Sequence, residues 1–293
     1  MASQWGAVLT AMVTPFDDDG ALDLDAAAEL ARWLQDHGND ALVVAGTTGE
    51  APTLSEREKL DLFRSVSEAV TIPVIAGTGS NNTAETVALT QQAAATGAAG
   101  VLVVGPYYNR PPQSGIEAHF RAVAGATKLP VMIYDVPGRT GRRIAHDVLV
   151  RLYSEVSNIV AFKDATGDPP AAGRLLADVP SIELYSGDEP LTLAFLAVGA
   201  IGVVGVATHW CAPETSEMIS AFEKGDLVRA RDINARLRGS HAFMNSDACV
   251  FSQAAKAMMR TLGLRVGECR LPLGAAPAGT EERAREVYAN LHA

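Results

Sequence analysis

The chain is poor in most of the features that mark specialised chemistry. Only 6% of its 293 residues are aromatic, and its cysteines number three, Cys211, Cys249 and Cys269. They are far apart and odd in number, which excludes a disulfide framework and a CxxC motif and fits reduced thiols in a cytoplasmic protein. The six histidines include no HExxH and no paired spacing, so no metal site is expected. His209, beside Trp210, reads as a packing or hydrogen-bonding residue. Positive charge is scarce too. Lys and Arg number 24 against 34 acids, a net charge of −10, which excludes nucleic acid as a partner because phosphate binding needs a basic surface. The apolar runs all fall short of the roughly 18 residues of a membrane span. The opening MASQWGAVLTAMVTPF lacks the basic and long apolar regions of a signal peptide.

What the chain does have is repetition. A short apolar run, a Gly- or Pro-containing loop and a helical stretch recur about every 25–35 residues, the size of one strand-helix unit. Candidate strands are Ala7–Val13, Ala41–Ala45, Pro73–Ala76, Gly100–Val104, Pro130–Tyr134, Ile159–Lys163, Ile182–Tyr185 and Gly202–Val206. The intervening helices are predicted at Asp25–Asp36, Ser55–Ala69, Thr83–Ala95, Ser114–Ala126, His146–Ser154, Pro170–Ala177, Pro190–Val198 and Pro213–Phe222. Ser55 and Glu58 form a capping box, and Thr83 can cap the next helix, whose apolar face is expected at Ala84, Val87, Ala88 and Ala95. Near-continuously apolar strands in such units predict an α/β fold, a (β/α)8 TIM barrel, over residues 1–223. An open doubly wound sheet is the alternative, and it more often carries GxGxxG after its first strand, where this chain has Thr14-Pro15-Phe16. Residues 224–293 read as a C-terminal helical extension, with helices at Leu227–Arg238, Phe251–Leu262 and Glu281–Leu291.

A barrel of this kind keeps its chemistry at the C-terminal ends of its strands. Those ends read GTTGE, GTGSN, GPYYNRPP, YDVPGRTG, Lys163-Asp164 and SGDE. Hydroxyls, phenols, one guanidinium and one lysine therefore meet on one rim, a set suited to amine catalysis. Burial lowers a lysine's pKa, and the neutral amine attacks a ketone to form an imine. Tyr134, Tyr108 and Thr47 can relay the protons, and Arg139 can clamp a carboxylate. Each residue also has a plainer role. A lone strand-end lysine is ordinarily a solvated rim residue. Tyr107 and Tyr108 can be ordinary packing, Arg139 a loop salt bridge, and Asp17–Asp19 a solvated turn. Asp188 and Glu189, just before Pro190, read as helix N-terminal acids favoured by the dipole.

GTTGE, PVIAGTGSNNT, PYYNRP, YDVPGRTG, FKDATGD and SGDE occur in order, and with them the chain resembles the dihydrodipicolinate synthase / N-acetylneuraminate lyase family of Schiff-base aldolases. The resemblance runs from Ala11 through Leu273. It implies that Lys163 forms an imine with pyruvate, that Tyr134 shuttles protons, and that Thr47 and Tyr108 complete the relay. It also implies pocket contacts from Thr48, Val204 and Gly187, and an Arg139 that holds the carboxylate of L-aspartate 4-semialdehyde. No metal or organic cofactor is then needed. The family is usually a homotetramer, in which the tyrosine matched by Tyr108 reaches across a subunit interface, with Tyr107 beside it. Asn81, Glu85 and Tyr107 match part of an allosteric lysine site. Glu56 and Lys59 stand where lysine-sensitive members carry histidines, so strong lysine inhibition is not expected. Asp135 and Asp164 stand where many members have Asn and Glu, and SDACVFSQAAKAMM replaces a Pro-rich turn. A sugar-acid aldolase of the same family remains an alternative that shares Lys163, and a non-catalytic homologue is a second.

Overall fold

The computed structural model describes residues 3–244 and 249–293; part of the departure at 246–259 therefore lies outside the described residues. Each apolar run in the repeat forms a strand: β1 Val8–Ala11, β2 Ala41–Val44, β3 Val74–Gly77, β4 Gly100–Val104, β5 Val131–Asp135, β6 Ile159–Asp164, β7 Glu183–Ser186 and β8 Gly202–Gly205. They pair in parallel and in sequence order, and β8 returns to β1 to close the barrel. Helices α1 Leu24–Asp36, α2 Glu56–Ala69, α3 Thr83–Ala93 and α4 Gln113–Gly125 follow the first four strands. The one-turn α5 Pro137–Thr140, with α6 His146–Glu155, α7 Pro169–Asp178, α8 Thr192–Ala197 and α9 Thr208–Glu223, follow the rest. Then come α10 Leu227–Met244, α11 Phe251–Thr261 and α12 Thr280–Leu291.

Strand alternation divides the core in two. Leu9, Ala11, Val43, Ile75, Leu102, Met132, Tyr134, Ala161, Tyr185 and Val204 fill the barrel interior. The residues between them, such as Val8, Leu42, Val44, Val101, Ile133, Phe162 and Leu184, face the helices. Lys163 has the parity of Ala161, so it shares the inward face with Tyr134 and Tyr185, its register partners on either side.

Several local expectations change. The Ser55–Glu58 capping box forms as expected. Asn82, not Thr83, caps α3 through its side chain. The buried face of α3 is Thr86, Leu89, Thr90 and Ala93, because two threonines satisfy their hydroxyls there, Thr90 donating to Thr78 Oγ1 at 2.8 Å and Thr86 to Asn82 O at 2.9 Å. The helix expected at Pro190–Val198 is a 3-10 turn, Glu189–Leu191, leading into α8. Helix α9 begins upstream of Pro213 and kinks at Cys211, since proline cannot continue the hydrogen-bond ladder of the preceding turn.

One buried ion pair ties the C-terminal helices to the barrel. Lys256 of α11 and Glu50, at the end of the GTTGE loop, are both fully buried and lie 2.8 Å apart. The Lys256 ammonium also donates to Glu268 O at 2.9 Å and lies 4.2 Å from the Phe16 ring centroid. Glu50 Oε2 accepts the Arg270 amide at 2.8 Å, while the Arg270 side chain holds Gly20 O, Thr53 O and Glu58 Oε1. Removing one partner of such a pair leaves a buried charge uncompensated. Lys256→Met is therefore expected to lose about 3–5 kcal/mol in denaturant unfolding, and adding Glu50→Gln should recover most of that loss. Independent, additive losses from the two substitutions would contradict the coupling.

Candidate active site

The amine of β6 has been removed from water. Lys163 is 7% exposed, and burial lowers its ammonium to about 8; the Glu189 carboxylate raises it, and the Arg139 guanidinium lowers it further. Its Nζ stands 4.3 Å from the centroid of the Tyr134 ring on the neighbouring strand. A side chain at Gly187 would crowd this amine's stem, because a Cβ there would stand 3.0 Å from Lys163 Cγ.

Tyr134 is buried, and its phenol is pushed up to about 12 by that burial, against the Arg139 charge and a hydrogen bond with Thr47. At neutral pH it is a protonated phenol, a potential proton donor, beside the amine. Tyr134, Thr47 and Arg139 line a cavity of about 440 Å³, and Lys59, Asn81, Glu85 and Tyr107 line it too. The loop that carries Thr47 is held by its own turn. Glu50 N donates to Thr47 O at 3.1 Å, and Thr14 Oγ1 donates to Gly49 O at 2.6 Å. Glu50 itself adopts a left-handed backbone (φ 58°), a conformation that costs free energy in a non-glycine residue and is fixed here by the buried ion pair.

The structure thus brings Lys163, Tyr134, Thr47 and Arg139 together. Thr48 is buried beside Thr47, and Val204 lies in the barrel interior. Tyr108 is placed differently. It is 89% exposed, with a left-handed backbone (φ 69°), and it does not line the cavity of its own chain, although its neighbour Tyr107 does.

Glu189 corrects the reading of the acids before Pro190. It does not serve its own 3-10 turn. Its buried carboxylate accepts Val206 N at 2.7 Å and Ala207 N at 3.1 Å on Oε2, and Thr208 N at 3.2 Å on Oε1. It therefore fixes the loop after β8 while presenting a negative field to Lys163. Gly205 makes room for it, since a Cβ there would meet Glu189 Oε1 at 2.4 Å. The order Asp-Glu-Pro after a strand was the available signal, but only the closed barrel brings the β8 loop over it. His209 has the structural role expected: it accepts the Val13 amide on Nε2 and donates from Nδ1 to Val206 O. Among the described residues no group of three or more His, Cys, Asp or Glu side chains is placed to hold a metal ion.

Behind the amine and the phenol lie two acids. Asp135 and Asp164 are paired in register and, by alternation, face outward, toward a cavity of about 260 Å³ under α6 and α7. Burial raises both carboxyls, Asp135 to about 7. Asp135 Oδ2 accepts Ile144 N at 3.1 Å, and Oδ1 has no hydrogen-bond partner among the described residues.

A closed parallel barrel gathers a desolvated lysine, a protonated phenol beside it and a guanidinium at one mouth, an arrangement that suits a barrel enzyme. Comparison with known proteins supports an enzyme of this fold. The model of the dihydrodipicolinate synthetase family matches residues 4–293, and the chain belongs to that family. It is 50% identical over 288 residues to the 4-hydroxy-tetrahydrodipicolinate synthase of Acidothermus cellulolyticus, covering 97% of this chain and 92% of that one. The lysine-bound dihydrodipicolinate synthase of Cyanidioschyzon merolae superposes with a TM-score of 0.95 at 42% identity, over 98% of each chain. The chloride-inhibited synthase of Acinetobacter baumannii, solved with pyruvate, superposes at 0.92 with 33% identity, over 99% of each.

The acid pair makes a stability prediction. The folded carboxyl of Asp135 sits at about 7, well above its ordinary value of 3.8, so stability is lost as pH rises between those values and the full cost is present above 7. Asp135→Asn keeps an acceptor for Ile144 N and removes the charge. It is expected to stabilise the fold by on the order of 2 kcal/mol at pH 8 and by much less at pH 5. Urea unfolding at the two pH values decides this, and an equal effect at both would contradict it.

Proposed function

We propose that the chain condenses pyruvate with L-aspartate 4-semialdehyde to give 4-hydroxy-tetrahydrodipicolinate, through an imine on Lys163. The observation that carries this is the buried Lys163 amine, lowered to about 8, against the protonated phenol of Tyr134. Near-full-length identity to synthases of that name supports the choice of substrates.

The steps follow from the groups. Neutral Lys163 attacks C2 of pyruvate, and the carbinolamine loses water to form the imine, with Tyr134 donating a proton to the departing hydroxyl and Thr47 hydrogen-bonded to the phenol. Loss of a C3 proton gives the enamine, whose carbon attacks the aldehyde as the aldehyde oxygen takes up a proton. The amine of the second substrate then attacks C2, closes the ring and releases Lys163. Arg139 binds that substrate's carboxylate. Because Tyr108 points away from its own chain's cavity, its place in the relay requires a second copy of the chain, as in a homotetramer. No metal or organic cofactor enters these steps.

Borohydride reduction with pyruvate should leave an adduct on Lys163. The trapping rate should rise about tenfold per pH unit below 8 and level off above it, because the neutral amine is the reactive form. Lys163→Ala should remove the adduct and the turnover with the fold intact, and Tyr134→Phe should lower kcat by about 10²–10⁴-fold. A plateau reached only above pH 10, or no adduct at all, would overturn the imine. Cleavage of sugar acids in preference to the condensation would assign the sister activity.

Lysine should not regulate this protein. The cavity is also lined by Lys59, whose ammonium interacts with Glu56 and Glu85. A bound lysine would bring a second ammonium against that cation, where like charges repel. Turnover should therefore change less than about twofold at millimolar lysine, and half-inhibition below that level would contradict this reading.

A further inference from the structure

Arg139 is held in an unusual way. It stands on the single turn α5, fixed by its backbone N–H to Val136 O at 2.8 Å. Its guanidinium makes no hydrogen bond and no ion pair to any protein group among the described residues. What it does touch is a ring: Cζ lies 4.7 Å from the centroid of Phe251, the first residue of α11. A carboxylate partner would consume the arginine's donors and neutralise its charge. An aromatic face holds the cation through the ring quadrupole and leaves its N–H groups free for a ligand.

Phe251 is itself well anchored. Gln253 Oε1 accepts Val250 N at 3.2 Å, and Gln253 Nε2 donates to Leu273 O, Gly274 O and Ala275 O. Five residues past Phe251, Lys256 pins the same helix to Glu50. Helix α11 therefore grips the GTTGE loop at one point and one of the cavity's two cations at another, though it lies more than 100 residues from both in sequence.

We propose that Phe251 is a positioning residue for Arg139, and that α11 thereby sets the affinity of the site for its second, carboxylate-bearing substrate. This rests on the role given to Arg139 in the proposed condensation. The first substrate is held by Lys163 and is unaffected.

Steady-state kinetics of Phe251→Leu, in the full-length protein, separates the two substrates. The KM for L-aspartate 4-semialdehyde should rise about 3–30-fold, while the KM for pyruvate, borohydride trapping on Lys163 and the melting temperature stay at parent values. Phe251→Trp, which keeps a ring face, should return the aldehyde KM to within about threefold of the parent. An unchanged aldehyde KM, or a parallel rise in both KM values that tryptophan does not rescue, overturns the proposal. A second readout needs no turnover. Phenylglyoxal modification of Arg139, followed by peptide mass mapping, should be faster in Phe251→Leu than in the parent, and equal rates count against the proposal. That measurement holds even if the parent forms no pyruvate adduct, an outcome that would remove the imine reading alone.

Discussion

Everything at this site depends on the removal of one amine from water. An exposed lysine near its ordinary pKa of about 10.4 has a neutral fraction of less than a thousandth at pH 7, too small to make a useful nucleophile. Lys163 reaches about 8 because the barrel wall excludes solvent. The desolvation is not left unopposed. The buried carboxylate of Glu189 pulls the other way, so the amine keeps both its charged and its neutral form within reach near pH 8. The guanidinium of Arg139 pushes in the same direction as burial, and it also lowers the neighbouring phenol. Two charges and one dry wall thus set the proton affinities of the amine and its neighbouring phenol.

Strand alternation is what makes such a wall possible. Tyr134 and Lys163 are register partners facing inward, and the next residue on each strand, Asp135 and Asp164, faces outward. A shift of one residue in β6 would exchange the amine for an acid in the interior, and a shift in β5 would exchange the phenol for one. Apolar partners such as Met132, Ala161 and Tyr185 fix that register, since each fills the interior only from its own position. Packing therefore aims the amine, and two acids placed under the helices are a consequence of the same geometry.

Most of the fold was legible because the signals were local. Eight apolar runs, the Ser55–Glu58 box and the glycine- and proline-marked loops each lie within a few residues. The errors also have local causes. The buried face of α3 was misplaced because Thr86 and Thr90 count as polar in a periodicity argument, although their hydroxyls bond to Asn82 O and Thr78 Oγ1 and allow burial. Within the site, Lys163, Tyr134, Thr47 and Arg139 could be found from strand ends, because a barrel gathers strand ends at one mouth. Glu189 could not be assigned that way. Its partners, the amides of 206–208, are brought to it by closure of the sheet, and nothing in Asp-Glu-Pro specifies them.

The same limit applies to the C-terminal helices, and it explains why they are more than a cover. A barrel's strands position the residues that point inward, but its loops are free to vary. The GTTGE loop carries Thr47 at the mouth and holds a left-handed turn at Glu50, a conformation unfavourable in isolation. The free energy that stabilises this turn comes from outside the barrel. Lys256 neutralises Glu50, Arg270 gives it an amide, and both cations lie over the ring of Phe16 from the β1 loop. The short α5 has the same weakness, since a single turn holds itself poorly, and it too meets α11, through Phe251. Where the sheet positions the amine, one helix far along the chain braces the two loops that carry Thr47 and Arg139.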